Sequence, residues 1–140
     1  MRICAGGILV RGQDILLAKR SADRPFYPGV WDVVGGHCET NEAPADALIR
    51  ELREEIGVEA LAVEQIAIFG DPEPATHGEA RYHMFVVTAW SGEPELRNAE
   101  HSELRWVGAT EAGTLPLAHP DYPGLFREAI RRAQAAGADT

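Results

Sequence analysis

Hydrophobic and polar positions change period several times along the chain, and each change marks a predicted element. Residues 3–10 and 15–19 are apolar, β-branched runs around the polar stretch 11–14, which predicts a β-hairpin. Residues 21–29 carry two prolines and read as a loop, and residues 30–34 read as a short strand closed by Gly35-Gly36. Beyond Pro44 the period lengthens: Ala45, Leu48, Ile49, Leu52 and Ile56 recur at helical spacing. Pro44 suits a first helical turn, where a missing N–H costs nothing, and Gly57 suits a C-terminal stop. Residues 61–69 and 81–90 predict two further strands separated by a Pro/Gly-rich loop over 71–78, and residues 103–107 a shorter one. Leu125, Phe126, Ala129, Ile130 and Ala133 form one apolar face of a last helix from Gly124 to about residue 135, after which residues 136–140 look frayed. Strands flanking one central and one terminal helix imply an α/β fold, a mixed sheet between helices in an α/β/α sandwich.

Composition narrows the function classes. The chain has 140 residues, 45% of them apolar, which predicts one domain over residues 1–140 with a core of its own. No apolar run approaches the ~18–20 residues that span a bilayer, and no signal-peptide cleavage pattern follows residues 1–10, so no membrane partner and a cytoplasmic address are expected. Cys4 and Cys38 lack the spacing of a zinc site or a disulfide framework and read as small buried hydrophobes. The net charge is −9, with one lysine and scattered arginines, so the clustered positive stripe that duplex nucleic acid requires is missing. A phosphate ligand on such a chain would need a bound divalent cation to neutralise it.

The central helix carries the chemistry. With Glu51 set at zero and about 100° per residue, Glu54 falls near −60° and Glu55 near +40°, so three carboxylates share one face beside the predicted buried stripe. Like charges at these spacings destabilise a helix by roughly 0.2–0.5 kcal/mol per pair. A hard cation with oxygen ligands would reverse that repulsion, whereas a solvated acidic face laced by Asp46–Arg50 and Arg50–Glu54 pairs is the plainer explanation. The neighbours decide between them. Gly36, five residues, Glu42, seven residues, then Arg50-Glu51-Leu52, one residue, Glu54-Glu55, one residue and Gly57-Val58 reproduce the complete Nudix box over residues 36–58. Seven fixed identities at ordinary residue usage coincide by chance at a given start about once in 10⁸. The chain therefore resembles the Nudix hydrolases, close to the MutT-like nucleoside polyphosphate pyrophosphohydrolases, over roughly residues 3–107. It departs locally at Val34, where many members have proline.

The resemblance implies hydrolysis of a phosphoanhydride in a nucleoside polyphosphate or a nucleotide-linked small molecule. Water would attack directly, with Mg²⁺ or Mn²⁺ held by Glu51, Glu54, Glu55 and Gly36. It implies that Arg50 orients the glutamates, that Glu42 assists from the helix entrance, and that the base is Glu51 or, failing that, Glu100. A Nudix-fold module that binds or senses a nucleotide without cleaving it is the alternative, disfavoured because such members have usually lost glutamates that this chain keeps. A prenyl diphosphate isomerase would need a cysteine in the cleft, and Cys38 does not match that role. For the substrate, Phe26, Tyr27 and Trp31 offer aromatic faces to a base, Arg81 offers a phosphate contact, and His37 lies beside the metal glycine. His119 falls where members that clear oxidised purines carry an asparagine, which places oxidised dGTP in doubt because imidazole cannot donate and accept in one plane as an amide does. Small nucleotides rank above RNA caps. A homodimer is compatible with the sequence.

Overall fold

The computed structural model describes residues 1–138. β1 (Arg2–Arg11) and β2 (Asp14–Arg20) form the hairpin expected from the apolar runs, with Val10 opposite Ile15. β3 (Trp31–Asp32) and β4 (Val34–His37) lead into α1 (Pro44–Ile56). β5 (Glu59–Gly70), α2 (Pro74–His77) and β6 (Ala80–Ser91) follow, then β7 (His101–Gly108), α3 (Ala109–Ala112) and α4 (Tyr122–Ala138). Seven strands run in the order β3-β2-β1-β6-β5, with β4 also paired to β1 and β7 to β2. β1 and β6 are parallel and the other pairs antiparallel, so the sheet is mixed.

Alternation along the two central strands builds a core on each face. Ile8, Val10, Met84 and Val86 meet Leu125, Phe126, Ala129 and Ile130 of α4. Leu9, Phe85 and Val87 meet Leu48, Leu52 and Ile56 of α1. Burying each of those α1 side chains contributes roughly 1.5–3 kcal/mol, which clamps the helix onto the sheet. Gly57 ends α1 in the left-handed conformation (φ 70°) with its N–H on the Arg53 carbonyl, the stop read from the sequence.

Several boundaries differ from the sequence reading. The strand expected over residues 30–34 divides at Val33: β3 pairs with β2 and β4 with β1. Gly35 and Gly36 do not close a strand but lie inside β4, opposite Gly6 and Ala5. A methyl group on Gly35 would fall 2.0 Å from the Ala5 carbonyl oxygen, so β4 approaches β1 only because that position has no Cβ. The loop over 71–78 contains α2, and α3 precedes the last helix, which begins at Tyr122 rather than Gly124. Residues 136–138 belong to that helix and are not frayed; Asp139 and Thr140 lie outside the described residues. Among the described residues no helix is long and apolar enough to cross a membrane.

Candidate active site

β1 pairs with β4 through Cys4–Gly7 and with β2 only at its far end, so the hairpin opens into a cavity of about 240 Å³. α1 lines one part of it and the 21–29 loop another, with the segment before α4 completing the wall. That last segment is held by hydrogen bonds from Trp31 N–H to the Pro116 carbonyl and from Ala118 N–H to the Trp31 carbonyl.

The acidic part is built by α1. The buried arc of the helix runs from Ala47 near −40° through Glu55 to Leu48, Leu52 and Ile56 near +140°, so Glu55 lies within the apolar stripe rather than beside it. Glu55 is 3% exposed, and its Oε2 is buried with no hydrogen-bond partner. Burial, reinforced by the neighbouring Glu100 and Glu51 carboxylates, pushes its acid up to about 9. Glu55, Glu100 and His101 each present a ligand atom within 4.8 Å of the other two. Glu51 packs against β4, where a methyl group on Gly36 would fall 2.6 Å from its carboxyl carbon. A buried carboxylate with an orphaned oxygen, facing two more carboxylates and an imidazole, is a donor set that fits a divalent cation. Glu54 stands apart: its side chain is 58% exposed, it pairs with Arg50 at 3.3 Å, and it does not line the cavity.

Arg50 ties the helix to its entrance. It donates from Nε to Glu42 at 2.9 Å, from Nη2 to Glu42 and to the His37 carbonyl at 2.9 and 3.0 Å, and from Nη1 to Glu51 at 2.9 Å. These bonds hold the Glu42 acid down at about 2 and raise the Arg50 guanidinium further above its ordinary value. Asp46, paired with Arg50 in the solvated-face reading, has no such bond; Glu42, eight residues away, takes its place. His37 contributes its carbonyl and leaves an exposed ring.

The remaining wall is aromatic and polar. Asp32, on β3, accepts Tyr122 O–H at 2.6 Å and Val33 N–H at 2.7 Å through Oδ1. Its Oδ2 keeps a longer 3.8 Å ion pair with Arg20. Burial raises the Asp32 acid, with Tyr122 and Arg20 opposing. Tyr27 and Phe26 both line the cavity. Tyr27, in the left-handed region at φ 52°, donates to Asp71 at 3.0 Å, and Phe26 packs against the His77 ring at 4.8 Å. His119 also reaches the cavity, but its Nε2–H donates to the Gly70 carbonyl and its Nδ1 accepts Asp121 N–H, so neither nitrogen is free to read a base. Trp31 is buried in the core on the α4 side. Arg81 is exposed and lies outside the cavity, because Tyr82 and Met84, not Arg81 and His83, face it.

Asp32, Tyr82, Tyr122, His101, Arg20 and Arg24 line the same cavity and were not singled out from the sequence. Residues from separate strands and loops meet there, and no spacing in the chain announces such a meeting. The family model described as NUDIX domain matches residues 1–129. The chain belongs to the Nudix family. It is 36% identical over 129 residues to the CTP pyrophosphohydrolase of Escherichia coli, covering 92% of this chain and 90% of that one. It is 32% identical over 93 residues to the 8-oxo-dGTP diphosphatase of Proteus vulgaris, covering 66% and 80%. A MutT NUDIX hydrolase from Burkholderia pseudomallei superposes with a TM-score of 0.78 at 27% identity, covering 93% of this chain and 95% of that one. The fold is therefore that of MutT-like Nudix proteins, the chain is a Nudix-type hydrolase, and Glu51, Glu55 and Gly36 are the box residues lining its cavity.

Proposed function

We propose that this Nudix chain hydrolyses a phosphoanhydride of a small nucleotide, either a nucleoside triphosphate or a nucleotide linked to a small molecule, with Mg²⁺ or Mn²⁺ held at the acidic part of the cavity. The observation that carries the reading is Glu55: a fully buried carboxyl with an orphaned oxygen beside Glu51 and Glu100 is stable as an anion only against a cation. Glu51, Glu55 and the Gly36 carbonyl would hold that cation, and Glu54, which stands outside the cavity against Arg50, would have to leave that pair to join them. A bound divalent cation supplies neutralisation of phosphate oxygens and a more acidic water. Arg50 fixes Glu51 and the entrance of α1, so the carboxylates keep one geometry as the substrate arrives. Glu51 takes the proton of the attacking water, with Glu100 as the second candidate for that role.

The aromatic wall takes the base, in keeping with relatives named for CTP and for 8-oxo-dGTP. Phe26 and Tyr27 offer ring faces, and Asp32 Oδ2, whose nearest partner is Arg20 at 3.8 Å, would accept from a base edge. Arg2, Arg20 and Arg24 also line the cavity, each beside a carboxylate (Asp71, Asp32 and Glu100), and offer guanidinium donors to a polyphosphate. A panel of nucleoside triphosphates, nucleotide sugars, ADP-ribose and dinucleoside polyphosphates, assayed with Mg²⁺ and with Mn²⁺, tests the reading. Cleavage of at least one phosphoanhydride, abolished by excess chelator, is expected. Undiminished turnover in chelator, or activity confined to phosphomonoesters, would contradict it.

A further inference from the structure

We propose that His101 is itself a ligand of the cation at the acidic part of the cavity, which makes the site a mixed oxygen and nitrogen centre. This deepens the metal reading above and rests on it. Three observations converge. A ring nitrogen of His101 and carboxylate oxygens of Glu55 and Glu100 lie within 4.8 Å of one another, a triangle one ion can satisfy. His101 is 7% exposed, and among the described contacts its ring has no hydrogen-bond partner. Glu55, which belongs to the same triangle, keeps a buried Oε2 without a partner.

The contrast with the other histidines sharpens the point. The His77 ring meets Asp71, the His83 ring meets Gln65, and both nitrogens of His119 meet backbone groups; His37 is exposed and solvated. Buried polar groups are satisfied as a rule, and the orphaned Glu55 oxygen beside an imidazole that makes no hydrogen bond to the described residues calls for a shared partner. Neutral imidazole is the form that binds metals.

A nitrogen ligand changes which cation is preferred. Mg²⁺ favours an all-oxygen shell, whereas imidazole strengthens binding of first-row ions such as Mn²⁺ and Co²⁺. The test uses the intact chain without nucleotide. Calorimetric titrations with Co²⁺ and with Mg²⁺ are compared for the wild type, His101→Gln and Glu55→Gln, and pulsed electron-spin resonance of the Mn²⁺ complex reads directly bound nitrogen. The expected wild-type spectrum shows coupling to one imidazole nitrogen, which disappears in His101→Gln. In that variant Co²⁺ affinity falls roughly 10–100-fold, the scale on which lost metal-site partners act, while Mg²⁺ affinity changes far less.

Thermal melts check that each variant is folded, and the wild-type spectrum decides the question even if His101→Gln fails to fold. Mn²⁺ bound in a Glu55-dependent way with no nitrogen coupling would overturn the role of His101 and leave the metal reading standing. Absence of binding by any of these ions, or binding indifferent to Glu55→Gln, would overturn the metal reading and this inference together.

Discussion

Glu55 and Glu54 are adjacent in the chain and share the same box, yet their physical situations are opposite. One is sealed inside the apolar arc of α1; the other stands in solvent against Arg50. The spacing of the box made both legible as acids of one helix face, but which of them would be buried depends on the strands packed above the helix, which the spacing does not encode. The difference is testable. Glu55→Gln is expected to lower kcat by at least ~10², the lower end for a lost electrostatic or acid–base contribution. Because Gln mimics the protonated acid, the variant should melt no lower than wild type without metal, and it should lose the rise in Tm that a divalent cation gives the wild type. Thermal melts with and without Mn²⁺ check this. Asp32 was illegible for a related reason: nothing near it in sequence distinguishes it from a surface acid, and its partner Tyr122 is ninety residues away. If Asp32 meets the base, Asp32→Asn should alter the ratio of kcat/KM among CTP, dGTP and oxidised dGTP by roughly 10-fold or more, since exchanging an acceptor for a donor opposite a base edge costs about 1–3 kcal/mol. An unchanged ratio across the panel would remove it from that role.

Elements whose faces are set by local pattern were read well: the hairpin, α1 with its proline entry and glycine stop, and the long strands β5 and β6. What the pattern lost were places where tertiary contacts interrupt it. The division of the expected strand at Val33 is one, because β3 and β4 turn to different partners within four residues. The 71–78 segment is another, and Asp71 explains its shape. Its side chain is fully buried and accepts from Tyr82 O–H at 2.8 Å, Tyr27 O–H at 3.0 Å, Glu73 N–H at 2.8 Å and Arg2 at 3.3 Å. One carboxylate thereby joins β1, β6, the α2 segment and the loop that carries Phe26. Burial works against the Asp71 anion, and the Glu73, Tyr82, Tyr27 and His77 bonds outweigh it, holding the acid down at about 2. A carboxyl depressed on folding contributes stability that is complete above its unfolded value, near 3.9, and is lost as pH falls toward 2. Asp71→Asn should therefore flatten the fall in stability between about pH 4 and pH 2, and should lower stability at pH 7 by roughly 1–3 kcal/mol through its unsatisfied donors. Denaturant titrations at several pH values give both quantities. A wild-type profile matched by the variant across that window would show that the network is not what holds these loops.

At the scale of the whole molecule, two cores on opposite faces of one mixed sheet hold α1 and α4 in place, and the functional cavity opens where β1 exchanges β2 for β4. The overall charge of −9 says little about the ligand, because Arg2, Arg20 and Arg24 stand in the cavity among Asp32, Glu51, Glu55 and Glu100. If a polyphosphate binds there through the arginines and the cation, salt screens those contacts, so KM for a nucleoside triphosphate should rise with ionic strength while kcat stays nearly constant. The central claim is that water attacks a phosphoanhydride directly, with proton and charge managed by the acidic cluster. Hydrolysis of the best substrate of the panel in ¹⁸O-labelled water tests it most directly. One ¹⁸O on a single phosphate-containing product in each single turnover, with turnover lost in chelator and in Glu55→Gln, is the predicted result. Label found in a non-phosphate product, or cleavage that proceeds unchanged in the Glu55→Gln protein, would contradict it.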